Sequence, residues 1–513
     1  LLKLKAFRIG LLVTLACVLL LPASPVQAAG EQKPAQVLLL YDSLAKGTPR
    51  EGNVTILQRL LASYRVQVRT LSIDQYKPGT LSAYTKVITV MNASDLKPRN
   101  EDYVRDMAAY AADYLHVGAN LPLRIQEKLN LVTETRRQET IQLSMPPYSQ
   151  TGIQVQDFIS LEETAGENAA GTITSMSSKR QTPFSTQNGP YAYVPYFEQG
   201  NLSELAMASV LKKWLGIETP AQTFLVFKEV YPFSDLELLE ETADRFYEAG
   251  IPFAVSVRPV FSNTDFPAMK RYLEALKYVQ SKNGTILVNA PVVYGQGPML
   301  DVKMAGFIAV LAQNGLAPLG IGAELYWSYD NEYTIAGLSY FNSAVLFPDE
   351  KPLYTERTDT SKSFSSSLYS IKMEQLQQLD RPENALPVFP MDTAVTYNFF
   401  ENKEELREAV LLLKDSRIPF ADYKSGEHQV TTDEFKIASR NGVITINGNR
   451  LNLNYTPQSV SDKYEYEKRA EQSLTDAFNI QNKIFIALII VSLIIFGGFL
   501  IAGYRLYKRK YLK

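Results

Sequence analysis

Five polar side chains in the middle of the chain stand at the ends of short apolar runs. Lys228 and Glu229 follow Thr223–Phe227, Arg258 follows Ile251–Val257, Asn289 closes Gly284–Val288, and Glu324 lies just beyond Ala317–Gly322. Asp392, beside the run Ala394–Phe399, and the aromatic pair Tyr326 and Trp327 belong with them. Lys228 and Arg258 suit a uronate or a phosphate carried on a sugar, while Glu229 and Asn289 suit its hydroxyls. Glu229 and Glu324 also form a pair of carboxylates, which at about 5–5.5 Å would be the arrangement of a retaining glycosidase. The competing reading makes Glu324 the acid at a helix start and leaves Glu229 neutralised by Lys228 or Arg258. Since neighbouring strand residues point to opposite faces, at most one of Lys228 and Glu229 looks inward unless the strand has ended there.

Composition narrows the chemistry further. The 513 residues contain two histidines, His116 and His428, and one cysteine, Cys17, too few for zinc fingers, Cys-rich metal sites or a disulfide scaffold. His116 is expected to cap carbonyls at a helix end and His428 to lie in a loop, and no Gly-x-Ser-x-Gly elbow accompanies either. No metal and no cofactor is expected. Residues 29–482 carry 43 basic against 54 acidic side chains, a net −11 that argues against a nucleic-acid partner. The aromatic stretches Tyr191–Phe197 and Tyr397–Phe400 read as packing, whereas Tyr326-Trp327 is equally consistent with packing and with a sugar-stacking surface.

The elements that must hold these groups follow from hydrophobic periodicity. Val37–Tyr41, Val66–Leu71 and Lys86–Met91 read as strands, Val54–Tyr64 and Asn100–Leu115 as helices. This alternation predicts an α/β fold, with a doubly wound, flavodoxin- or amidotransferase-like domain over 36–150. Amidotransferase activity is excluded, because that chemistry needs a nucleophilic cysteine. Gly, Ser and Thr dominate 160–190, which reads as an irregular linker or a loose edge hairpin, and 151–219 is assigned as a linker region. A second alternation, with strands at 223–230, 251–257, 284–289, 317–322 and 394–399 and helices at 236–249, 266–281, 301–314 and 403–414, predicts a (β/α) barrel over 220–425. Its functional groups are expected at the C-terminal mouth. Short runs divided by Asn-Gly at 441–442 and 447–448 predict a small β-meander over 430–456, and 457–482 reads as a charged stalk.

Both ends address a membrane. Residues 1–28 have the basic start, apolar run and small-residue exit of a cleaved signal peptide, which removes Cys17; a lipoprotein built on Cys17 is the lesser alternative. Ile484 to Tyr504 is a 21-residue uncharged apolar stretch, followed by the basic tail 505–513. Roughly twenty helical residues cross a bilayer, and the positive tail places that end in the cytoplasm. The expectation is one crossing, with the bulk outside and a lipid bilayer as one partner.

Three segments, Phe224-Leu-Val-Phe-Lys-Glu-Val-Tyr-Pro232, Gly250-Ile-Pro-Phe-Ala-Val-Ser-Val-Arg-Pro-Val-Phe261 and Thr285-Ile-Leu-Val-Asn-Ala-Pro-Val-Val-Tyr294, resemble the YdaL-like, polysaccharide-deacetylase-like bacterial membrane proteins, a family related to the NodB-like deacetylases. The resemblance covers about 220–425. It implies a metal held by one Asp and a His-x-x-x-His pair, with a second Asp as base, for hydrolysis of an acetamide. Here Lys228 stands at the base position, Glu229 at the metal Asp, and Asn289 and Val293 at the two histidines. The resemblance therefore implies a relative whose metal site has decayed, binding a cell-surface polysaccharide or serving exopolysaccharide synthesis machinery in the envelope. The alternatives are an active polysaccharide deacetylase or a glycoside hydrolase with an atypical site.

Overall fold

The computed structural model describes residues 36–164, 166–291, 297–350, 357–456, 458, 460 and 474–511. The signal-peptide segment, Val293 and most of the stalk lie outside them. The chain divides into two units, Leu1–Ser459 and Val460–Lys513.

In the larger unit the first strands and helices are β1 (Gln36–Tyr41), α1 (Asn53–Ser63), β2 (Gln67–Ser72), β3 (Lys86–Met91), α2 (Glu101–Ala109), β4 (Asp113–Gly118) and α3 (Leu123–Leu129). Then come β5 (Val132–Met145), β6 (Tyr148–Glu163), β7 (Glu167–Ser175), β8 (Gln181–Asn188), β9 (Tyr191–Val194) and α4 (Ser203–Leu215). All nine strands join one sheet, ordered β2-β1-β3-β4-β9-β8-β7-β5-β6. The first five run parallel and the rest are antiparallel.

Two expectations fail here. Residues 151–219, read as a linker, supply most of β6, then β7 to β9 and α4. Their Ser, Thr and Gly content resembles a loop, but Ile153, Val155, Phe158 and Leu161 are buried and β6 to β9 pair with neighbouring strands. The helix expected over Asn100–Leu115 stops at Ala109, and His116 sits inside β4 instead of at a helix end. Burial of Tyr114, Leu115 and Val117 between β3 and β9 outweighs helix periodicity there. His116 is buried, with Nδ1 bonded to the Tyr114 hydroxyl at 2.9 Å and Nε2 to the Ala119 carbonyl at 2.6 Å. Burial depresses its pKa to about 4.

The barrel is built from β10 (Thr223–Val230), α5 (Leu236–Glu248), β11 (Ala254–Val257), α6 (Pro267–Ser281), β12 (Thr285–Asn289), α7 (Gly297–Gln313) and β13 (Pro318–Glu324). It continues with β14 (Ser343–Phe347), β15 (Ser366–Lys372), α8 (Met373–Gln377), β16 (Thr393–Asn398) and α9 (Lys403–Ser416). Seven parallel strands close in the order β10 to β16, with β16 pairing back on β10. Helix starts are set locally: the Asp235 carboxylate accepts from Leu238 N at 2.9 Å to cap α5, Asn402 caps α9, and Pro267 opens α6. β11, β12 and β14 are short apolar runs buried on both faces, as a parallel barrel requires.

A separate antiparallel sheet of β17 (His428–Thr431), β18 (Lys436–Arg440), β19 (Val443–Ile446) and β20 (Asn449–Arg450) follows. His428, expected in a loop, opens β17 and is buried between the Ser343 hydroxyl and the Tyr423 carbonyl, its ring stacked 3.9 Å from that of Tyr423. Among its described residues the second unit forms one helix, α10 (Leu474–Tyr511). Its segment Lys483–Lys510, whose most apolar 18-residue window has a mean hydropathy of 3.1, is long and apolar enough to cross a membrane.

Candidate functional site

The C-terminal ends of β10 to β14 bring Lys228, Glu229, Arg258, Asn289 and Glu324 to one end of the barrel. The arrangement depends on an irregularity in β10. Between Phe227 and Val230 that strand takes three steps where β11 takes two, and Glu229 adopts φ 64°, the left-handed region that non-glycine residues avoid. The extra residue uncouples the two neighbours. Lys228 turns inward, its Nζ 4.5 Å from the ring centroid of Phe347 on β14, a strand that does not adjoin β10. Glu229 turns to Arg258, whose Nη2 donates to its Oε1 at 2.9 Å, while Nη1 donates to the Ala290 carbonyl at 2.7 Å. The same guanidinium lies 5.7 Å from the ring of Tyr231, which stacks on Phe233.

Phe347 reaches the lumen because Gly322 leaves room for it. A Cβ on Gly322 would lie 2.8 Å from Phe347 Cε2 and 3.0 Å from Ser256 Oγ. Gly322 is also the register partner of Asn289. Ser256, Asn289, Gly322, Phe347 and Lys228 therefore share the upper layer of the barrel interior. In that layer Ser256 Oγ and Asn289 Nδ2 are buried without a hydrogen-bond partner. A buried polar atom left unsatisfied costs about 1–3 kcal/mol, so such atoms mark places where a ligand or solvent supplies the bond.

Glu324 is half-buried near Lys228, and its Oε2 accepts from Glu350 N at 3.1 Å. Burial raises its carboxyl above the usual range; the bond from Glu350 N opposes this, the Asp349 and Glu350 charges add to it, and the Lys228 ammonium opposes it. Asp349, which accepts from Tyr326 N at 2.9 Å, is likewise raised by burial. Sequence reading passed over Asp349, Phe347 and Ser256. Phe347 was legible as the last residue of the apolar run Ser343–Phe347.

Three sequence candidates lie elsewhere or do other work. Asp392 precedes β16, so it sits at the N-terminal end of the barrel, where its Oδ1 accepts from Gln222 N. Tyr326 and Trp327 are 6% and 2% exposed, Trp327 donating to the Tyr326 hydroxyl at 3.0 Å and stacking on Tyr333. Their faces are covered by protein, which leaves packing as their role. Among the described residues, no group of three or more His, Cys, Asp and Glu side chains is placed to hold a metal. Glu229 is committed to Arg258, and Asn289 presents a donor, so the donor set here does not fit a deacetylase metal.

The fold and this mouth define an α/β protein with a closed seven-stranded parallel barrel carrying a polar, mixed-charge end. No family model matches the chain, and no curated protein does. Among solved structures it is similar to the Bc1960 peptidoglycan N-acetylglucosamine deacetylase, at 9% identity and a TM-score of 0.25, over 40% of this chain and 88% of that one. Nothing about activity is carried over from a likeness at that level.

Proposed function

We propose that this protein is a membrane-anchored, extracytoplasmic, deacetylase-like protein that binds a cell-surface polysaccharide at the barrel mouth without hydrolysing it, in envelope or exopolysaccharide biogenesis. One observation carries the reading: partnerless Ser256 Oγ and Asn289 Nδ2 lie in the layer of Lys228, at an end that also holds Glu324 and the Arg258–Glu229 pair. Sugar hydroxyls satisfy such atoms, and a uronate or phosphate substituent satisfies the ammonium. The resemblance of 220–425 to YdaL-like proteins supports the same class, as does the apolar segment of α10 for anchoring, with the bulk outside and the basic tail in the cytoplasm.

The test uses the full-length protein in lipid nanodiscs with uronate-bearing and acetylated oligosaccharides. The expected result is saturable binding of the uronate-bearing chains, weakened at least tenfold by Lys228→Ala and by Asn289→Ala, with no acetate released. A second reading, an atypical hydrolase, has one observation in its favour: Glu324 and Asp349 are neighbouring carboxyls both raised by burial, as a general acid needs. Acetate release or chain cleavage that disappears in Glu324→Gln would establish that reading and overturn the first.

A further inference from the structure

The nine-stranded sheet holds a second site, unconnected with the barrel mouth. From β1 the chain passes to β2 on one side and then crosses to β3 on the other, so the direction of winding reverses between β1 and β3. In doubly wound sheets the carboxyl ends of the strands at such a reversal border a natural crevice. Here that crevice is a cavity of about 290 Å³, walled by Ser43 after β1, Asn92 to Asp95 after β3, Gln156 and Asp157 of the β6 arm, and Glu198. It adjoins a wider cleft of about 1080 Å³ that shares Arg50, Ser94, Asp95, Gln156 and Asp157 and runs on to Asn120 beyond β4 and Arg137 on β5. Together they have the size of a small-molecule site opening into a groove.

The groups that would receive an anion at this place are already used by the protein. The backbone N–H groups of Ser43, Asn92 and Ala93 all donate to the Asp42 carboxylate, at 2.6, 2.9 and 2.9 Å. The start of α1 is covered by Gln199, whose Oε1 would lie 1.9 Å from a Cβ on Gly52. The Arg50 guanidinium is spent on two carbonyls, those of Asn92 and Asp157. A phosphate or nucleotide therefore has no cradle, although this is where such folds bind them. No group of metal-ligating side chains is placed there either, among the described residues.

What remains facing the space is chiefly acceptors with amides and hydroxyls, together with Arg137 on β5, whose Nε lies 4.0 Å from Asp157 Oδ1. Asp157 Oδ2 takes the Ser94 hydroxyl at 2.9 Å, Asp95 is exposed, and Glu198, 6% exposed, takes the Tyr196 hydroxyl at 3.0 Å. Behind the wall, Asn53 Nδ2 bonds Asn92 Oδ1 and the Phe197 carbonyl, and Asn53 Oδ1 is buried without a donor. We infer that this cleft binds a glycan segment of neutral or amino sugars, whose hydroxyl and ammonium groups donate to Asp95, Asp157 and Glu198 while Gln156 and Ser94 complete the hydrogen bonding. The protein thereby has two glycan sites of opposite preference, an acceptor-rich cleft in the sheet and a cation-bearing mouth in the barrel.

The experiment measures binding of glucosamine oligomers, N-acetylglucosamine oligomers and polyuronate oligomers to the full-length protein in nanodiscs, with Lys228→Ala as the background that disables the barrel mouth. Glucosamine oligomers are expected to bind best and polyuronate not at all. Ser94→Trp, which fills the cleft from an exposed position, is expected to cut glucosamine affinity at least tenfold. Glu198→Gln, of equal shape, is expected to narrow the preference for glucosamine over its N-acetylated form. Unchanged glucosamine affinity in Ser94→Trp, or polyuronate binding that Ser94→Trp abolishes, overturns the inference. Because the barrel mouth is disabled throughout, neither outcome bears on the proposal for that site.

Discussion

The Lys228 ammonium lies 4.5 Å from the ring centroid of Phe347, reaching from β10 to a strand three places away around the closed barrel. A cation over a ring face is stabilised by roughly 0.5–2 kcal/mol, more as water is excluded. The extra residue in β10 turns Lys228 rather than Glu229 to the lumen, and this contact receives it there. Lys228→Ala should therefore weaken binding of uronate-bearing oligosaccharides at least tenfold, whereas Phe347→Leu, which removes the ring and keeps the charge, should weaken it less. Isothermal titration of both variants checks the order.

Glu324 provides a pH test. Burial raises its carboxyl above the unfolded value, so the folded state holds that proton more tightly. Its contribution to stability is full below the unfolded value of about 4.3 and is lost as pH rises through the higher folded value. Glu324→Gln keeps an acceptor for Glu350 N and carries no charge. The variant should melt above the native protein at neutral pH, with the difference vanishing near pH 4, as thermal denaturation at the two pH values will show.

Gly337 is constrained by Trp327. A Cβ there would lie 2.4 Å from Trp327 Cζ3, against a ring that also stacks on Tyr333. Gly337→Ala should destabilise by about 1–3 kcal/mol through overpacking, read from urea denaturation. Gly306→Ala, at a helical glycine of α7 where nothing lies within 4 Å, supplies the comparison without overpacking.

Arg59 ties α1 to the barrel. Its guanidinium lies 4.2 Å over the Tyr369 ring and donates to the Ser370 carbonyl at 2.7 Å, and the Tyr369 hydroxyl donates to Glu204 at 2.7 Å. Tyr369→Phe should cost about 1–3 kcal/mol, because Glu204 loses a donor. Arg59→Met should cost more, since it removes the cation and strands the carbonyls. Hydrogen exchange in α1 and β15 should rise together in both variants; a rise in one element alone would show that the two are not coupled.

For anchoring, the expected outcome is that the full-length protein stays with membranes through carbonate washing and that a truncation before Lys483 releases it. Protease added to cells without a wall should digest the bulk and spare a C-terminal tag.

Hydrophobic periodicity alone located five barrel strands and four helices, because these strands are short apolar runs, four of them followed by a helix, and both patterns are local. The two histidines, the charge balance and the apolar segment of α10 are likewise properties of the linear chain. Other features depend on partners distant in sequence. β14 and β15 close the barrel, yet they are separated by a long connection and are recognisable as barrel strands only once β13 and β16 are in place beside them. The Gly-, Ser- and Thr-rich residues 160–190 became strands because neighbouring backbones pair with them, where composition alone resembled a loop. The division of labour between Lys228 and Glu229 was decided by one extra residue in β10 and a left-handed backbone at Glu229. Local preference opposes that conformation at a glutamate, and it is held there by the pairing of β10 on both sides and by the Arg258 guanidinium.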